Sequence, residues 1–153
     1  MQLRGGGRTR GWRLRYRGRM ADTTIDTLRR IPIFASLDDA GLQRIAEAGT
    51  EFQAGPGYVL VEHGQPGTGC FVIEEGSVRV ELPSGDQVQR GPGDFFGELS
   101  LLSSTPRTAR VVAATEVRCI AIRRGDFEQL LHDEPSIAVA MLAELANRLA
   151  EVT

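Results

Sequence analysis

Between Thr50 and Ile122 the chain never carries more than a few apolar residues before it meets a turn signal. Tyr58-Val59-Leu60-Val61 runs into His63-Gly64-Gln65-Pro66-Gly67-Thr68-Gly69, and Cys70-Phe71-Val72-Ile73 runs into Glu74-Glu75-Gly76. Ser77 to Leu82 alternates with a period of two, and Pro83-Ser84-Gly85-Asp86 turns it into Gln87-Val88-Gln89. Arg110 to Ala114 and Val117 to Ile122 complete the series. Short runs bounded by Gly, Pro and Asp are strand signals. Such close punctuation leaves no room for crossover helices, so neighbouring strands must pair antiparallel. About eight short strands of this kind predict a closed antiparallel β-roll or jelly roll, a double-stranded β-helix.

Helical patterns flank this region. Asp22 to Arg30 reads as a short helix with Ile25 and Leu28 on one face, broken by Ile31-Pro32-Ile33-Phe34. Ser36 is the expected N-cap of the next helix, with Asp38 and Asp39 in its first turn and Gly49 just past its end. Its apolar positions are Leu37, Leu42, Ile45 and Ala46. After the roll, Arg124-Gly125-Asp126 opens a helix bearing Phe127, Leu130 and Leu131, and Pro135 starts another. In that last helix Ala138, Leu142, Leu145, Leu149 and Val152 step by 4, 3, 4 and 3, a two-heptad seam. The seam suits either a second copy of the chain or the chain's own roll. The expected fold class is mainly β, with N-terminal and C-terminal α-helices.

One stretch inside the roll breaks the strand pattern. Gly93-Asp94 is a turn, and Gly97-Glu98-Leu99-Ser100-Leu101-Leu102 is long enough for a turn and a half of helix. Pro106 stops it, Arg107 and Thr108 follow, and Ala109 to Ala113 reads as strand again. A helix N-terminus offers unpaired N–H groups to an anion. Arg107 adds a bidentate clamp for phosphate oxygens, while Glu98 accepts from a sugar hydroxyl. A surface loop with a solvated ion pair accounts for the same residue types.

The order Phe96-Gly97-Glu98-Leu99-Ser100-Leu101-Leu102, four residues, then Arg107-Thr108-Ala109-Arg110-Val111 resembles the phosphate-binding cassette of cyclic-nucleotide-binding domains. That family includes the bacterial catabolite activator, regulatory subunits of cyclic-AMP-dependent kinase and cyclic-nucleotide-gated channels. The resemblance runs from about Ile33 to the C-terminus. It implies that Glu98 holds the ribose 2′-hydroxyl and Arg107 the cyclic phosphate. It further implies that N–H groups near Gly97, Leu99 and Ser100 complete the cradle, and that Thr108 lies against base or phosphate. Phe96 and Ala109 belong to the same cassette. The implied ligand is cyclic AMP, alternatively cyclic GMP, since a hydroxyl at Thr108 serves either base. No cofactor is implied. The C-terminal helices are the implied output, acting on an effector protein that the sequence does not name.

The 153 residues suit one domain. Arginines 4, 8, 10, 13, 15, 17 and 19 crowd the start with no acid among them, whereas 11 arginines meet 20 acids in the remainder. Residues 1–19 are read as a disordered basic tail, with Met20 as the natural start, and 20–153 as the binding domain. The rival reading is a DNA-binding regulator of the catabolite-activator type that uses this arm or a partner subunit; nucleic acid is not the expected partner. A further rival is a degenerate scaffold domain, against which Glu98 and Arg107 stand. No apolar run approaches the ~18 residues of a membrane helix. Cys70 and Cys119 sit in strand-like runs and read as core thiols, which fits a reducing, cytoplasmic setting. Glu74-Glu75 reads as an exposed turn, His63 and His132 lack zinc spacing, and no serine elbow occurs. The expectation is a binding module, not an enzyme.

Overall fold

The computed structural model describes residues 15–19, 25–62, 64, 69–97 and 109–152. Nine strands occur among them: β1 (Arg15–Arg19), β2 (Gly49–Ala54), β3 (Val59–Val61), β4 (Gly69–Glu75), β5 (Val78–Glu81), β6 (Gln87–Arg90), β7 (Phe95–Phe96), β8 (Arg110–Ala113) and β9 (Val117–Arg123). They form a five-stranded sheet, β1-β2-β9-β4-β7, and a four-stranded sheet, β3-β8-β5-β6. Every pairing is antiparallel. The helices are α1 (Ile25–Arg29), α2 (Asp39–Ala48), α3 (Arg124–Asp133) and α4 (Pro135–Val152), with a 3-10 turn at Pro32–Phe34. This is the expected antiparallel roll with helices at both ends.

The unbroken apolar runs in β4 and β9 follow from burial on both faces. Side chains alternate across a strand. Phe71 and Ile73 of β4, with Val117, Cys119 and Ala121 of β9, point into the roll and meet Phe52, Leu60, Val78 and Val111. Cys70, Val72, Ile120 and Ile122 point the other way, against Leu28, Phe34, Leu42, Ile45, Phe127 and Ile137 of the helical layer. The five-stranded sheet therefore separates two cores. Each fully buried Phe or Leu contributes about 1.5–3 kcal/mol. The two cysteines lie on opposite faces and carry thiols, not a disulfide.

Three local expectations are corrected. Ser36 does not cap α2: Asp38 is the N-cap, and its carboxylate accepts from Gly41 N–H at 2.8 Å. Gly49 keeps an extended backbone (φ −85°, ψ 151°) and leads straight into β2, so no left-handed cap closes that helix. Arg15–Arg19, expected to be without structure, pairs with β2. Sequence polarity missed this because the pairing is a backbone matter: β2 offers an edge of N–H and C=O groups.

The seam of α4 is divided. Of its members, Leu145 packs partly against the helical core, while the buried residues of the helix, Ile137 and Met141, lie outside the seam. Val139, Leu142 and Leu149 are 67%, 65% and 63% exposed. No helix among the described residues is long and apolar enough to cross a membrane, and no group of three or more potential metal ligands occurs among them.

Candidate functional site

The entry to the cassette is built by a tight turn. Gly91 N–H donates to Asp94 Oδ2 at 2.8 Å, and Asp94 N–H donates to Gly91 O at 3.0 Å. Gly93 N–H donates to Ile73 O at 2.8 Å, and Ile73 N–H donates to Asp94 O at 2.9 Å, which zips the turn onto β4. Gly93 has φ +87°, and a Cβ there would lie 2.9 Å from Pro32 Cδ. Only glycine tolerates both conditions.

Phe95 and Phe96 then split between the two cores. Phe95 joins the helical layer and Phe96 the roll interior. Phe96 stacks on Phe71 with ring centroids 4.9 Å apart and planes at 11°, and Phe52 meets Phe71 edge-on at 6.0 Å. Phe96 is thus a packing residue at the base of the cassette. Gly97 follows in the left-handed region, φ +86°, so the chain leaves the sheet in a direction that a residue with a Cβ resists.

The exit is held by charge. Ala109 is half-buried and precedes β8, which pairs with β3 and β5. Arg110 donates from Nη1 to Glu81 Oε1 at 3.2 Å and lies 3.6 Å from Glu62. Arg79 donates to the other oxygen of Glu81 at 3.1 Å. The hydrogen bond from Arg79, and then the one from Arg110, hold the Glu81 carboxyl below its ordinary value. Gly97 and Ala109 therefore hang on different sheets, which fixes both ends of the cassette on the roll. Of the expected site residues, Phe96, Gly97 and Ala109 are placed. Glu98, Leu99, Ser100, Arg107 and Thr108 lie outside the described residues.

Two features escaped the sequence. Glu74 is not part of an exposed turn: its side chain is 1% exposed, whereas that of Glu75 is 65% exposed. Burial first, then a hydrogen bond with Glu51, pushes the Glu74 carboxyl up to about 8. Arg118 pairs with Glu75, and its Nε lies 3.8 Å from Glu74 Oε2. Extending the inward alternation of Phe71 and Ile73 by one residue would have placed Glu74 on the buried outer face. The second feature is Arg148 of α4, whose Nη2 donates to the Phe95 carbonyl at 2.8 Å. An arginine within a helix carries no sequence mark of such a contact.

The profile of the cyclic nucleotide-binding domain matches residues 51–134. The chain is 40% identical over 108 residues to a cyclic nucleotide-gated potassium channel of Mesorhizobium japonicum, covering 71% of this chain and 30% of that one. Among solved structures, it resembles the N-terminal domain of a transcriptional regulator from Streptomyces coelicolor, with 36% identity and a TM-score of 0.61. That likeness covers 84% of this chain and 95% of the other. It also resembles the regulatory subunit of a cAMP-independent protein kinase A from Trypanosoma brucei, with 28% identity, a TM-score of 0.72, and 86% and 51% coverage. The chain thus spans less than a third of the channel's length. Because the profile match covers more than half of the 153 residues and takes in both strands that bound the cassette, the chain belongs to the cyclic nucleotide-binding domain family.

Proposed function

We propose that the chain binds a cyclic nucleotide, cyclic AMP in preference to cyclic GMP, and acts as a regulatory sensor through its C-terminal helices. It is a binding module with no reaction of its own, in a cytoplasmic setting. Arg107 pairs with the cyclic phosphate and Glu98 with the ribose 2′-hydroxyl. N–H groups near Gly97, Leu99 and Ser100 complete the cradle, and Thr108 lies against base or phosphate. The observation that carries this reading is Gly97: its left-handed backbone, directly after the stacked Phe96, turns the chain out of the sheet where the cassette sequence begins. The relatives that support it are the cyclic nucleotide-gated potassium channel and a cAMP-dependent protein kinase regulatory subunit of Colletotrichum orbiculare, 33% identical over 108 residues. The exposed face of α4 belongs to the same proposal. Val139, Leu142 and Leu149 lie near heptad spacing and are uncovered, which suits a second copy of the chain.

Calorimetric titration of the full chain with cyclic AMP, cyclic GMP and guanosine tests the ligand. Cyclic AMP is expected to bind most tightly. Guanosine, which lacks the phosphate charge, is expected to bind about a hundredfold more weakly or worse. Tighter binding of cyclic GMP overturns the base preference, and silence with both cyclic nucleotides overturns the reading.

A further inference from the structure

We infer that Arg148 is a positioning residue that couples the C-terminal helix to the entry strand of the nucleotide cassette. The inference rests on the cyclic-nucleotide reading above and names how that site communicates.

β7 is the outer edge of the five-stranded sheet. The Asp94 carbonyl and Phe96 face β4, through the Ile73 N–H to Asp94 O bond and the Phe96–Phe71 pairing. Phe95, between them, therefore turns its carbonyl to the open edge. Arg148 fills that edge. Its Nη2 donates to Phe95 O at 2.8 Å, and its guanidinium carbon lies 4.3 Å from the centroid of the Phe95 ring. Its Nε donates to Glu144 Oε1 at 3.3 Å. One planar cation thus grips both the backbone and the ring of a single residue. Lysine lacks the flat face and the fork that this needs.

The grip sits where it matters for both partners. Phe95 lies two residues before Gly97, so a shift of its carbonyl is passed along two peptide planes to the cassette entry. On the helix side, Ile137 and Met141 anchor the first turns of α4. From residue 146 to 151 only Arg148 is not exposed. Beyond Leu145, which packs partly against the helical core, the end of α4 is poorly buried, and Arg148 is the side chain there that reaches the cassette entry strand. A segment with few buried contacts opens at low cost. By linkage, whatever orders the entry strand stabilises the docked helix, and the docked helix favours the ligand to the same degree.

Hydrogen exchange and cyclic AMP titration test this on the full chain with Arg148→Met, Arg148→Lys and Glu144→Gln. Without ligand, amides of residues 94–97 and 142–151 should exchange about tenfold faster in Arg148→Met. Cyclic AMP affinity should fall about tenfold, and the ligand-induced slowing of exchange in α4 should vanish. Lysine should restore part of both effects, and Glu144→Gln should change affinity less than twofold. Wild-type exchange at 94–97 in Arg148→Met would show that no grip exists. Faster exchange with unchanged affinity would reduce Arg148 to a structural brace and overturn the coupling. If the wild type binds no cyclic nucleotide, the functional reading and the coupling fall together, and the ligand-free arm alone judges the brace. Should the methionine variant not fold, the lysine variant carries the same comparison.

Discussion

A cyclic phosphodiester carries one negative charge whichever base is attached, so in the proposed reading Arg107 serves cyclic AMP and cyclic GMP alike. Leaving a buried charge unpaired costs about 3–5 kcal/mol. Arg107→Leu is therefore expected to weaken both ligands by about two to three orders of magnitude in direct titration. Glu98 reads the sugar instead. Titrating wild type and Glu98→Gln with cyclic AMP and its 2′-deoxy analogue should give a clear coupling; zero coupling would remove Glu98 from the ribose. Glu74 gives a separate, pH-dependent prediction. Its carboxyl is raised from 4.5 to about 8, so the folded state holds a proton that the unfolded chain releases. The stabilising contribution is complete below about pH 4.5 and is lost as pH rises through about 8. Thermal melts across that window should fall for wild type and stay flatter for Glu74→Gln, and parallel curves would contradict the assignment. That residue also shows a limit of reading: two adjacent acids before a glycine look like a turn, and only the pleat of β4 separates the buried one from the exposed one.

Among the elements, the roll strands were legible because glycine-bounded turns punctuate them, and a turn is a local property of the chain. Ser36 was a plausible cap, but Asp38 won because the helix starts later, where the Asp38 carboxylate reaches Gly41 N–H. The final helix was legible as a helix, whereas its apolar positions did not announce which of them the roll would claim. The structure assigns Ile137, Met141 and part of Leu145 to the helical core on the outer face of the five-stranded sheet and leaves Leu142 and Leu149 outside. Leu142→Glu should then abolish the proposed dimer in light scattering without lowering the melting temperature. A wild-type monomer at high concentration would refute the dimer.

The whole molecule carries what the sequence could not show. Sheet order is a matter of distant partners: β9 lies between β2 and β4, and the two ends of the cassette belong to different sheets. No local pattern states that. The basic stretch is a similar case, because β1 is set by the edge that β2 presents.

The partition made by β4 and β9 has a practical consequence: the protein carries two built-in clocks. Cys70 keeps time for the helical compartment and Cys119 for the interior of the roll. Burial pushes the Cys119 thiol far up, so it should react with an alkylating reagent only when the roll itself comes apart. Cys70 should report any lifting of α3 or α4, at a rate that a bound cyclic nucleotide changes by about tenfold while the Cys119 rate follows global unfolding. Mass spectrometry of the timed alkylation reaction reads both clocks in one tube. If the two thiols always reacted at one rate, the compartments would open as a single unit.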